Sequence, residues 1–144
     1  MSDLFDLTYS DGKVTLYLER AAFRAAHLAP AHKVGAEIMY ASTMANFEEE
    51  HDPNGNPWVP LSPYTRAMKE ALGRINKTLQ STGIMKSRTS TRVESTGFII
   101  GNYDKKARKH QLGIDTPMRK FVGVGPQDLI DLKANYRFFI VKGY

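Results

Sequence analysis

Phe47-Glu48-Glu49-Glu50-His51-Asp52-Pro53-Asn54-Gly55-Asn56-Pro57-Trp58-Val59-Pro60-Leu61-Ser62-Pro63 is the stretch on which the reading of the fold turns. Its middle, Asp52 to Pro57, gathers two prolines, a glycine and two asparagines, residues that fix φ, reach positive φ or fold a side chain back onto the backbone. No helix can run through such a segment, so it must be an ordered turn between two elements. Upstream, Val34, Ile38, Ala41, Ala45 and Phe47 recur at close to the helical period and predict a helix from Lys33 to about Glu50. Downstream, Ser62-Pro63 reads as an N-cap followed by proline at the first helical position, where its missing N–H costs nothing. Met68, Leu72, Ile75 and Leu79 then form one stripe, and Gly83 suits a C-terminal cap, so a second long helix is expected from Pro63 to about Thr82.

Towards the N-terminus, the turn signal Ser10-Asp11-Gly12 precedes Val14, Leu16 and Leu18, whose alternation predicts a strand over Gly12 to Leu18. Glu19 to Ala29 is rich in alanine and stops before Pro30, which predicts a short helix and a break. Towards the C-terminus, Thr89, Thr91 and Val93 alternate with polar residues, Ser95-Thr96-Gly97 turns, and Phe98-Ile99-Ile100-Gly101 returns, a hairpin with Arg88 and Arg92 on its outer face. Tyr103 to Pro117 mixes charges and turn formers and gives no regular element, Lys120 to Val124 suits a last short strand, and Pro126-Gln127-Asp128 opens a helix carrying Leu129, Leu132, Tyr136 and Phe139. The expected architecture is a single α+β domain over residues 1–144, a small, mostly antiparallel sheet packed with two long helices and a C-terminal helix.

A chain of 144 residues with 42% hydrophobic content can bury one modest core without metal or disulfide support. The absence of cysteine excludes disulfides, thiolate zinc sites and cysteine nucleophiles together. Met1 to Leu18 lacks the basic and then continuously apolar regions of a signal peptide, and no apolar run approaches the ~20 residues of a membrane span. The net charge of +5 favours polyanions or acidic protein surfaces.

Nothing in the chain assembles into catalytic chemistry. His27, His32, His51 and His110 show no metal-ligand spacing, and Glu48 to Asp52 lacks the alternate-position ligands of a calcium loop. Neither Gly97 to Gly101 nor Gly123 to Gly125 is followed by the Lys-Ser or Lys-Thr of a phosphate loop, and Ser81, Thr82 and Ser87 have no triad partners. No cofactor is expected. Two features stand out as contact chemistry. Lys105-Lys106-Ala107-Arg108-Lys109-His110 is a concentrated basic run, read as a loop suited to phosphates or an acidic protein rim. Trp58, the single tryptophan, lies between Pro57 and Pro60 and anchors either its own loop or a partner.

The ordered set Phe47, Pro53, Gly55, Trp58, Leu61, Thr65 and Lys69 resembles the Mu-like phage virion morphogenesis family, in which a helix is followed by Pro-x-Gly-x-x-Trp-x-x-Leu. The resemblance continues through Leu79, Thr82-Gly83, Gly101, His110-Gln111-x-Gly113 and Arg119-Lys120-Phe121-Val122-Gly123-Val124, and so spans roughly Val14 to Ile140. It implies a non-enzymatic tail-completion or neck protein, with relatives among P2-like phages, assembled in the host cytoplasm and placed at the head-tail junction of the virion. Its implied partners are other neck, connector and tail-terminator proteins, further copies of itself in a ring of six, and DNA in the channel, touched without sequence preference. A closed ring needs two different complementary patches on each subunit. The candidates for interface or loop anchoring are Pro53, Gly55, Trp58, Leu61, Lys105, Lys106, Arg108, Lys109, His110, Arg119 and Phe121, with the basic run meeting acids such as Glu48 to Asp52 of a neighbour, or those of a tail protein. The competing expectation from charge is a basic DNA-binding accessory protein.

Overall fold

A computed structural model of the chain describes residues 12–144. The turn expected at Ser10 and Asp11, and residues 1–11 of the segment read against a signal peptide, lie outside the described residues. The elements run α1 (Gly12–Ala26), α2 (Ala29–Glu49), α3 (Pro63–Ala71), α4 (Ile84–Ser87), β1 (Thr89–Glu94), β2 (Gly97–Asn102), α5 (Ala107–Leu112) and α6 (Pro126–Lys142). This is a small α+β fold with one antiparallel hairpin, in register from Thr89 opposite Asn102 to Glu94 opposite Gly97.

The axis of the fold is α2, which contacts both strands and α6. Close approach is possible because Gly35 faces the hairpin: a Cβ there would stand 2.8 Å from Cε1 of Phe98 and 3.4 Å from Leu132. One turn earlier on α2, Asn135 donates to the Ala31 carbonyl at 2.9 Å, and the buried His32 ring shares a 2.7 Å hydrogen bond with the Tyr136 hydroxyl. Arg24 of α1 donates from Nε to the Ile140 carbonyl at 2.7 Å and from a terminal nitrogen to Val141 at 2.8 Å, so it occupies carbonyls that the end of α6 leaves without intrahelical donors.

Outside the basic run the structure corrects four local expectations. Gly12 to Leu18 is the start of helix α1, not a strand. Val14, Leu16 and Leu18 alternate over too few residues to decide the period, whereas the alanine-rich Glu19 to Ala26 propagates a helix back through them. Pro30 lies in the first turn of α2, so the break falls at His27 and Leu28 and α2 begins at Ala29, four residues before Lys33. The second long helix is short: α3 ends at Ala71, and Gly73 follows with φ of 61°. Residues 72–82 turn back to the end of α2 instead, where Gln80 Nε2 donates to the Phe47 carbonyl at 2.5 Å and Lys77 Nζ to the Glu48 carbonyl at 3.2 Å. The carbonyls orphaned at that helix end are satisfied by the segment that the apolar stripe assigned to a helix, and Met68, Leu72 and Ile75 are exposed.

The fourth correction concerns Lys120 to Val124, which forms no strand. Side chains take the place of a ladder. Gln111 Oε1 accepts from the amides of Phe121 (3.0 Å) and Val122 (3.2 Å), and Gln111 Nε2 donates to the Val122 carbonyl at 2.6 Å. Asn46 Nδ2 donates to the Phe121 carbonyl at 3.0 Å. Every one of these backbone groups is thereby paired without a neighbouring strand.

The turn at Asp52 to Pro57 packs on the residues after this segment. A Cβ on Gly125 would lie 1.9 Å from the Pro53 carbonyl oxygen, a backbone atom that cannot swing away. Gly125→Ala is therefore expected to lower unfolding stability by about 2 kcal/mol or more, whereas Gly101→Ala, which meets nothing within 4 Å, should stay within about 0.5 kcal/mol. Urea denaturation of the two variants checks the contrast.

Candidate functional site: the tryptophan loop and the basic helix

The core that holds the loop consists of Phe47, Trp58, Met85, Ala107 and Phe121, with Met44, Leu79 and Val122 packed around it. Phe47 sits at the end of α2 and stacks at a tilt on Phe121 (5.0 Å between centroids), while Trp58 meets Phe47 edge to face at 6.0 Å and 82°. Trp58 is buried, and its indole Nε1 donates to the Lys120 carbonyl at 2.8 Å. One side chain thus ties the loop after α2 to the segment before α6.

The loop organises itself around Asp52. Its Oδ1 accepts from the amides of Asn54 and Asn56, each at 2.9 Å, and its Oδ2 from Asn56 Nδ2 at 3.1 Å. Gly55 turns the chain at φ of 84°. The Trp58 amide then donates to the Glu50 carbonyl at 2.8 Å, which returns the chain to the helix it left.

The acids preceding the loop are engaged within the chain. Glu48 pairs with Lys77 at 2.9 Å and with Lys86, and Glu50 accepts from the Thr78 amide at 2.5 Å. Burial works against the Glu50 carboxylate, yet the Thr78 hydrogen bonds and the charges of Lys77 and Arg66 bring its pKa below the usual value. Glu49 holds His51 Nε2 at 2.7 Å, and His51 Nδ1 donates to the Asp52 carbonyl at 2.8 Å. Burial disfavours the imidazolium, but these two hydrogen bonds and the charges of Glu49 and Asp52 outweigh it and raise the His51 pKa above 6.5.

Arg119 is 7% exposed and closes the loop from the far side. Its Nε donates to the Val59 carbonyl at 2.9 Å, and its own amide donates to the His110 carbonyl at 2.7 Å. Burial lowers its pKa. The basic run is not the loop read from the sequence: Lys106 caps α5, and Arg108, Lys109 and His110 lie on it, with Lys105 just ahead. Asp104 starts that helix by accepting from the Lys106 amide at 2.8 Å, and Gly113 ends it at φ of 71°.

The candidate residues fall into three sets. Trp58, Phe121 and Arg119 are buried and tie the loop to the core, with Pro53 half-buried against Gly123 and Gly125. Lys105, Lys106, Arg108 and Lys109 are exposed, Lys109 standing 3.8 Å from Asp115. Leu61 and His110 are half-buried beside one cleft, and Gly55 lies in open space. The sequence reading passed over Asn46, which the helical stripe treated as polar filler, and gave Gln111 no role beyond its place in a motif. An amide that pairs backbone 10 or 75 residues along the chain carries no local signal.

Two outcomes follow. Trp58→Phe keeps an aromatic ring but leaves the Lys120 carbonyl without its donor and should cost about 1 kcal/mol, against about 3–5 kcal/mol for Trp58→Ala, both measured by urea unfolding. Because the His51 pKa is raised in the folded chain, the stability it supplies is complete below its ordinary pKa and is lost as pH rises through the raised value. Between about pH 6 and about pH 8 the wild type should therefore lose melting temperature relative to His51→Gln.

No curated protein and no solved structure shows a significant match to the chain. The sequence profile of the phage virion morphogenesis family matches residues 10–133. That span includes the end of α2, the Asp52 turn, Trp58, the hairpin, α5, Arg119 and Phe121. The chain belongs to the phage virion morphogenesis family.

Proposed function

We propose that the protein completes the tail and joins it to the head, as a non-catalytic subunit of a ring at the neck, in the manner of the Mu-like and P2-like tail-completion proteins. Family membership supports a structural or assembly role. The observation that carries the finer reading is α1, a helix of 15 residues that buries none of them. It exposes Val14, Leu16, Tyr17, Leu18 and Phe23, each 46–65% accessible. Val14, Tyr17 and Leu18 share one face by their i, i+3, i+4 spacing, and Leu16 and Phe23, seven apart, share the opposite one. A helix of this length is marginal alone in water, and apolar residues exposed on two faces among the described residues mark surfaces for other chains.

Two faces suit a ring. Head-to-tail contacts that close by rotation give every subunit a neighbour on each side, with a different patch meeting each. Six copies would match the sixfold tail axis. The acids from Glu48 to Asp52 are occupied within the chain, so the exposed cations Lys105, Arg108 and Lys109 are assigned to acidic neck or tail proteins or to DNA in the channel.

Electron microscopy of particles made without this gene product is expected to show filled heads and finished tails that are not joined. Normal virions would overturn the reading. Leu18→Glu and Phe23→Glu, at exposed positions, should leave helical content and melting temperature unchanged yet fail to restore joined particles. Full restoration by both would remove α1 from the assembly surface.

A further inference from the structure

A cleft of about 500 Å³ opens between α3, the residues before α4, and α5. Four cationic side chains, Lys69, Arg88, Lys106 and Arg119, line it together with His110, against one carboxylate, Asp104. That carboxylate is already committed, to Arg88 at 3.3 Å and to the Lys106 amide. Lys69 is 8% and Arg119 7% exposed, and neither has a carboxylate within 4 Å among the described residues. Lys69 Nζ donates to the Lys77 carbonyl at 2.6 Å, which accounts for one of its three donors. Among the described residues His110 Nδ1 is buried with no hydrogen-bond partner.

Buried cations side by side with no counter-ion are costly to a fold, and a buried polar atom without a partner is rare in one. The electrostatics agree. Burial, then the charges of Arg119 and Arg74, lower the Lys69 pKa against the pull of Glu50. Burial, then Arg119 and Lys106, lower that of His110 against Asp104. The site holds more positive charge than Asp104 and the pull of Glu50 offset.

We propose that this cleft binds an oxyanion, and that its occupant during assembly is the carboxylate of an acidic segment on a partner protein of the virion. Depth decides between the sources. The phosphates of a DNA duplex run along a convex ridge and are met by exposed cations such as Lys105, Arg108 and Lys109. Lys69 and Arg119 are recessed, within reach of a slender side chain. Leu61, Leu79, Ile84 and Met85 line the same cleft and suit the aliphatic stem of a glutamate, with the Ser81 and Thr82 hydroxyls as further donors. The inference does not depend on the head-tail assignment, since binding is measured on the isolated chain.

The test is calorimetric titration of the purified full-length protein with a capped, amidated peptide of alternating glutamate and alanine, and separately with a short DNA duplex, at matched ionic strength. The peptide is expected to bind and to raise the melting temperature. Lys69→Met should weaken it tenfold or more, and Arg108→Glu, outside the cleft, by less than twofold. Ser81→Asp, which places a carboxylate in the cleft within the chain itself, should block the peptide and raise the melting temperature on its own, and this variant keeps the test decisive if Lys69→Met fails to fold. Absence of peptide binding, or binding that neither cleft variant changes, overturns the proposal. Tighter binding of the duplex that Ser81→Asp abolishes overturns it in favour of DNA.

Discussion

The structure depends on how the backbone from Lys120 to Val122 is satisfied. The segment sits inside the molecule, with Phe121 2% exposed, yet the hairpin has only two strands and neither pairs with it. Its amides and carbonyls are met by three side chains from three places: Trp58 in the loop, Asn46 in α2 and Gln111 in α5. Each of these hydrogen bonds is worth little net, but each would be expensive to leave unmade in a buried site. A polar arrangement of this kind requires all its members at once, and so it fixes the relative positions of α2, the Asp52 turn, α5 and the approach to α6.

From that constraint the division of charge follows. The acids at the end of α2 are spent on local construction, with Glu48 on Lys77 and Lys86, Glu49 on His51 and Glu50 on Thr78. Around α5 the cations are of two kinds, with Lys105, Arg108 and Lys109 exposed and Lys69 and Arg119 buried in the cleft beside it. In a protein of net charge +5, this local concentration of cations is a better guide to its contacts than the total. At the far end, α1 contacts α6, and its apolar residues Val14, Leu16, Tyr17, Leu18 and Phe23 are exposed among the described residues.

Legibility from sequence tracked how local each signal was. The hairpin, the α6 start at Pro126 and the Asp52 to Pro57 turn were legible because proline, glycine and β-branched residues act over a few positions. Where two local signals competed, tertiary demand chose: the stripe Met68, Leu72, Ile75, Leu79 gave way at Gly73 because α2 needed its terminal carbonyls covered. Val14, Leu16 and Leu18 suggested a strand, but a strand needs a neighbour to pair with, and helix α1 satisfies its own backbone.

The sequence by itself determined the family, the α+β class and the place of the Trp58 turn, since these rest on residue types at short, fixed spacings. Only the tertiary structure decided which way Trp58 faces, that the basic run is a helix, and that Lys69, His110 and Arg119 share one cleft. Residues 41 and 9 positions apart in the chain become neighbours through packing, and no periodicity along a sequence encodes a distance across a core.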